Sequence, residues 1–382
     1  MVSRAERSLV GDWWLTVDRA LLAALGILIV VGLVMLMAGG PPVASRLGLD
    51  TFHFVTRQGL FLAPAVLATF VVSFLTPRYV RRLALLTYVV AMALVFAALH
   101  YGPEIKGAHR WIAILGLSVQ PSEFVKPAFV VLTAWAFSEA TRRPELPAAW
   151  LALLILPVTI APLILQPDFG QTMLLTLVWA GMFFIAGLHL FWVLGLGAAG
   201  GIGIFAAYNF LPHVRERIER FIDKDSGDSF QVDAAMQSFA NGGWLGRGPG
   251  EGTVKRILPD AHTDFIFAVT GEEFGIAVCL FIVAIYAFIV LRGLLLAGRA
   301  EDHFTRLAVS GLLLLFGLQA MINIMVNIQL LPAKGMTLPF ISYGGSSLFS
   351  LALTMGFLIA LTRRRPRSRL YEREYSPRPA GA

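Results

Sequence analysis

Ten runs of roughly twenty residues with few or no charges recur along the chain, and they decide what it can fold into. They lie near 20–39, 59–76, 83–101, 118–138, 146–166, 169–187, 190–211, 265–291, 307–329 and 341–362. A helix needs about 20 apolar residues to cross the hydrocarbon of a bilayer, and backbone polar groups there must be satisfied within the segment. The runs therefore predict an all-α, polytopic membrane bundle of about ten transmembrane helices. Composition agrees: the chain is 57% hydrophobic and 14% charged, where soluble domains carry about 25% charged residues. The fifth run holds Pro157 and Pro162, which are expected to kink it against neighbouring helices.

Ten crossings put both termini on one side. With the termini cytoplasmic, the inner segments hold 18 of the 31 Lys and Arg residues, as the positive-inside rule asks. The expected organisation is a cytoplasmic segment over 1–19, a membrane domain over 20–362 and a basic cytoplasmic tail over 363–382. The tail opens Arg363-Arg-Arg365 and reads as a topology signal near anionic membrane lipids rather than a nucleic-acid patch. The single Cys279 excludes an intrachain disulfide. No small-residue cleavage site follows the first run, so that run reads as a retained span.

Two segments on the expected outer face break the apolar pattern. One spans about Gly102 to Ser122 and includes Lys106-Gly-Ala-His-Arg-Trp111. The other covers 212–263, far longer than ordinary connections. In it, Arg215 to Phe221 has helical character, Gln231 to Phe239 forms an amphipathic piece, and Gly242 to Gly252 is rich in glycine. That glycine run follows no strand and lacks the Gly-Lys-Ser/Thr ending of a P-loop, which argues against nucleotide binding.

Charges at membrane depth are costly and raise functional hypotheses. Glu123 and Lys126, in the fourth run, stand at i and i+3 and can neutralise one another on one helix face. They can equally face a substrate cavity. Asp168, in Gln166-Pro-Asp-Phe-Gly170, is placed either to cap a turn or to contact a ligand. Asp264, Glu272 and Glu273 open the eighth run, with Asp264 at the outer surface beside the glycine-rich loop. His262 is a second candidate base. The seven histidines nowhere show metal-ligand spacing. The segment Lys334 to Ser347 supplies Ser342, Ser346 and paired glycines as donors or as a helix-start turn.

At these residues the sequence resembles the SEDS (shape, elongation, division and sporulation) family, represented by RodA and FtsW. The resemblance rests on Gly107-Ala-His-Arg-Trp-Ile112, Gln120-Pro-Ser-Glu-Phe-Val-Lys126, Gln166-Pro-Asp-Phe-Gly170, Leu258-Pro-Asp-Ala-His-Thr-Asp-Phe265, Gly271-Glu-Glu-Phe-Gly275 and Leu338-Pro-Phe-Ile-Ser-Tyr-Gly-Gly-Ser346. It covers about 15–365. Phe221 to Asp228 departs from the family in lacking its Asp-Pro pattern. Lys334-Gly before Thr337-Leu-Pro339 and the loop Asn241 to Gly252 are similar to the division members rather than the elongation ones.

The resemblance implies a ten-span polymerase of lipid II at the outer face of the bacterial cytoplasmic membrane. Asp264 then corresponds to the family's essential aspartate, and Glu123 with Lys126 to an important acidic–basic pair. Inverting an α-linked sugar pyrophosphate into a β-linked strand needs a base at the acceptor hydroxyl and positive charge at the departing pyrophosphate. Arg110, Lys126 and Lys334 are the candidate cations, with His262, Ser342 and Ser346 as further substrate contacts. No protein metal site is expected, although a divalent cation (Mg2+ or Mn2+) suits a pyrophosphate. The implied partners are a class B penicillin-binding protein and other division proteins. The alternative reading is a lipid II flippase, which has no need of a base at the outer surface.

Overall fold

The computed structural model describes residues 8–364, apart from 106, 115, 144, 146–147, 188–189, 211–214, 216–229 and 333–334. Among them are twelve α-helices and one short hairpin. Ten helices coincide with the ten runs: α2 (Arg19–Arg46), α3 (His53–Ser73), α4 (Pro77–Tyr101), α5 (Pro121–Arg142), α6 (Ala148–Leu165), α7 (Phe169–Ile185), α8 (Leu190–Phe210), α10 (Ile266–Gly298), α11 (His303–Asn327) and α12 (Gly345–Thr362). The other two are α1 (Leu9–Thr16), before the first run, and α9 (Phe230–Gly242), which is the amphipathic piece of the long loop. Of these helices α2, α3, α4, α10, α11 and α12 are each long and apolar enough to cross a membrane, and the protein is a multi-pass helical membrane bundle.

Local chemistry explains several boundaries. The fourth run begins later than expected. Leu117 to Val119 pair antiparallel with Ile112 to Ile114 as β2 and β1, and α5 starts at Pro121, whose missing N–H is no loss in a first turn. Asp18 caps α2 by accepting from the Leu21 amide and also accepts from Arg292 on α10 at 2.6 Å. Helix α1 is held by the Trp13 indole, which donates to Ser73 Oγ at 2.7 Å and packs edge-on to Phe70. The helix expected from Arg215 to Phe221 and the divergent stretch Phe221 to Asp228 lie outside the described residues save for Arg215, as does most of the tail.

Burial sets the layering. In their most apolar windows α12 is 78% buried and α11 67%, against 17% for α3. Helix α5 packs between α4, α6, α7, α11 and α12. Close approach depends on small residues, as is usual where lipid supplies little driving force between helices. A Cβ added at Gly311 of α11 would fall 2.6 Å from Met182 Sδ and 2.7 Å from Val130 Cγ1, so this glycine lets α5, α7 and α11 meet. Charged and amide side chains on those inner helices therefore face protein rather than lipid.

Candidate active site

Helix α5 carries two charges into this interior. Lys126 is 2% exposed and Glu123 5%, and the ammonium lies 2.8 and 2.9 Å from the two carboxylate oxygens. One helical turn apart, the pair neutralises itself as the spacing predicted. Each member has a further partner from another helix. Gln171 of α7 donates to Glu123 Oε1 at 2.8 Å, and Lys126 donates to Gln319 Oε1 of α11 at 3.0 Å.

Gln319 begins a polar ladder that sequence reasoning missed. Gln319, Asn323 and Asn327 recur every four residues on one face of α11. The Gln319 amide donates to the Thr337 carbonyl at 3.1 Å. Asn323 donates to the Met336 carbonyl at 2.6 Å and to the Asp264 carbonyl at 2.9 Å. Asn327 donates to the same Asp264 carbonyl at 2.9 Å and accepts from the Ala268 amide at 3.1 Å. Three amides at i, i+4 and i+8 within an apolar run were the available signal.

Asp264 lies in the turn before α10, two residues ahead of Ile266, and is half-buried; it stands at the outer edge of the eighth run, as the sequence placed it. Its main-chain carbonyl is fixed by the two asparagines. Gly335, with φ +60°, stands so close that an added Cβ would lie 3.7 Å from Asp264 Oδ2. The 335–343 segment thus passes beside the carboxylate. Lys334 itself lies outside the described residues.

The remaining candidates frame this centre. Arg110 donates to the Gln166 and Pro167 carbonyls and lies 3.9 Å from Asp168 Oδ1. Asp168 caps α7 through the Gln171 amide and accepts from Gln120 at 3.3 Å, so its turn role is realised. In that connection, burial pushes the Asp168 carboxyl above the ordinary carboxylate range, against the pull of Arg110. Ser346 accepts from the Gln120 amide. Ser342 accepts from the Leu338 amide and donates to the Thr263 carbonyl at 2.6 Å, which ties the last inter-helix segment to the Asp264 turn. The His262 ring stacks 4.1 Å from Phe54 and 5.6 Å from Tyr343. Among the described residues no three His, Cys, Asp or Glu side chains converge on a metal site.

Glu272 and Glu273 are placed differently from Asp264. Both are essentially fully buried, and both hold the glycine-rich loop. Glu272 accepts from the amides of Thr253, Val254 and Lys255, and Glu273 accepts from the Gly250 amide and the Lys255 ammonium. Helix α10 breaks just beyond them at Gly275, with φ +80°. The break exposes main-chain groups that bond the loop: Arg247 and Gly248 donate to the Glu272 and Glu273 carbonyls, and Ile276 and Ala277 donate to those of Gly243 and Trp244. The loop is therefore built onto the broken helix that follows Asp264.

Comparison with known proteins adds to this geometry. The family described as "Cell cycle protein" (FTSW_RODA_SPOVE) matches residues 18–366. The probable peptidoglycan glycosyltransferase FtsW of Caulobacter vibrioides is 41% identical over 365 residues, covering 95% of this chain and 94% of its own. The protein of the same description from Neisseria gonorrhoeae is 32% identical over 393 residues, covering 90% and 84%. A solved structure titled "Structural coordination of polymerization and crosslinking by a peptidoglycan synthase complex" aligns with a TM-score of 0.75 at 26% identity, over 91% of this chain and 98% of that one. The rod shape determining protein RodA of Thermus thermophilus aligns with a TM-score of 0.67 at 25% identity, over 91% and 97%.

Proposed function

The chain belongs to the FtsW, RodA and SpoVE family of cell cycle proteins, and from that membership we propose that it is a peptidoglycan glycosyltransferase that polymerises lipid II. The observation that carries the reading is the polar ladder. It links the buried Glu123–Lys126 pair to the main chain of Asp264 through Gln319 and Asn323. A buried cation and the main chain that carries a carboxylate are thus tied together through one set of hydrogen bonds.

In the proposed step, Asp264 takes the proton of the acceptor sugar's 4-hydroxyl as that oxygen attacks the anomeric carbon of the donor. The carbon–oxygen bond to pyrophosphate breaks, the centre inverts from α to β, and the lipid pyrophosphate departs. A positioned base of this kind contributes about 10²–10⁴ in rate, roughly 3–5 kcal/mol. Lys126, Arg110 and Lys334 supply positive charge for the leaving group, with Glu123 holding Lys126 in place. His262, Ser342 and Ser346 shape the wall of the site. The base works at the outer face, with both termini cytoplasmic, in keeping with the Lys and Arg distribution.

The relatives named FtsW favour septal synthesis, with a class B penicillin-binding protein and other division proteins as partners. Holding a transpeptidase at the same face raises its effective concentration on newly made strands. The test is incubation of the purified chain, with that partner, on labelled lipid II, and comparison with Asp264→Asn.

A further inference from the structure

We propose that the Trp244–Leu245 turn is a membrane anchor, inserted into the bilayer interface at the Asp264 end of the bundle. These two residues are 69% and 85% exposed, yet the turn that carries them is held on both sides. Gly243 and Gly246 flank them with φ of +56° and +80°. The Gly243 and Gly246 amides bond back to Phe239 and Gly242, and the Gly243 and Trp244 carbonyls accept from Ile276 and Ala277. An exposed Trp-Leu pair on a fixed turn is a presented surface.

Its height in the bilayer follows from α10. Eighteen residues between Glu273 and Arg292 carry no charge, which at the helical rise is about 27 Å, close to the hydrocarbon thickness of about 30 Å. Gly275 therefore marks the interface, and the turn is bonded to the two residues that follow it, Ile276 and Ala277. Just beyond the break, Ala277, Leu280 and Phe281 are exposed on α10, so the turn continues an apolar, lipid-facing band. Tryptophan concentrates at this level of membranes. Arg247, exposed two residues later, sits where a lipid phosphate would meet it. Because Glu272 and Glu273 bind the rest of the loop to the same helix, the anchor sets the height of the loop above the lipid.

The test places a nitroxide at Leu245→Cys and, for comparison, at Glu251→Cys, each with Cys279→Ala. The chain alone is reconstituted in nanodiscs of phosphatidylcholine and phosphatidylglycerol. Collisions with oxygen should dominate at 245 and collisions with an aqueous nickel chelate at 251. Equal nickel access at both sites overturns the proposal. Shielding of 245 from both reagents also overturns it, because it would mean the turn packs against another copy of the chain. Should the cysteine variants misfold, brominated lipids provide a second measurement. The wild-type tryptophan emission should contain a component quenched by shallow bromines that Trp244→Phe removes, and an unquenched Trp244 component would refute insertion. Adding the partner protein should leave the isolated chain's depth unchanged; a turn that becomes ordered at the interface only with the partner would make it a protein-docking site.

Discussion

Replacing Glu123 by Gln tests whether the buried pair is held by mutual charge. Lys126 is 2% exposed, and without the carboxylate its ammonium has only neutral partners, among them Gln319 Oε1 at 3.0 Å. Removing one member of a buried ion pair costs about 3–5 kcal/mol. The amide oxygen at position 123 can still accept from Lys126 and returns part of this, because a hydrogen bond to a charged group is worth about 1.5–3 kcal/mol. The expected net loss is on the order of 2 kcal/mol. It should appear as a lower thermal unfolding temperature of the detergent-solubilised protein. Glu123→Gln combined with Lys126→Met removes both charges at nearly constant volume and should recover most of the lost stability. If Lys126 meets the donor pyrophosphate, the double variant folds and stays inactive on lipid II. A single variant as stable as wild type would refute the charge-pair reasoning, and a folded double variant with full activity would reduce the pair to structure.

Gly275→Ala should destabilise the protein or displace the loop, since the added Cβ would fall 2.4 Å from the Trp244 carbonyl oxygen at a φ of +80°; protease cleavage within 243–256 should rise, and unchanged protection would contradict the broken-helix account. Asn323→Leu leaves the Met336 carbonyl without a donor and takes one of two donors from the Asp264 carbonyl, an expected cost of about 1–3 kcal/mol with a fall in polymerisation larger than the fall in folded protein. For topology, a cysteine at Glu251 should react with an impermeant thiol reagent from outside and one at Glu301 should not, both with Cys279→Ala; the reverse pattern would place Asp264 on the cytoplasmic face.

The span pattern was legible because it rests on runs of apolar residues, six of which form helices long and apolar enough to cross a membrane alone, and composition needs no tertiary knowledge. Glu123 and Lys126 were legible for a similar reason, since their partnership is local to one turn of α5. The glycine-rich loop was seen as unusual, but its anchors were not. Glu272 and Glu273 bond residues 17 to 23 positions earlier in the chain, and nothing in the local sequence ties a buried carboxylate to a particular distant amide. The break at Gly275 was hidden for the same reason. A glycine in an apolar run reads as ordinary membrane helix until the Trp244 carbonyl is seen to occupy the space of its side chain. Helix α1 and the β1–β2 hairpin are too short for periodicity to reveal. The α11 amides were readable in principle, because polar residues every four positions in an apolar helix mark a face turned away from lipid.

The central claim is that Asp264 is the base of a lipid II polymerase. Purified wild-type chain and Asp264→Asn, each with the class B partner and matched for folding by thermal unfolding, should be compared on labelled lipid II by resolving the glycan products. The account predicts long strands from wild type and a loss of about 10² or more for Asp264→Asn, the contribution of a positioned general base. Activity of the variant within a few-fold of wild type would contradict it, and so would a wild-type protein that moves labelled lipid II across vesicles without joining it.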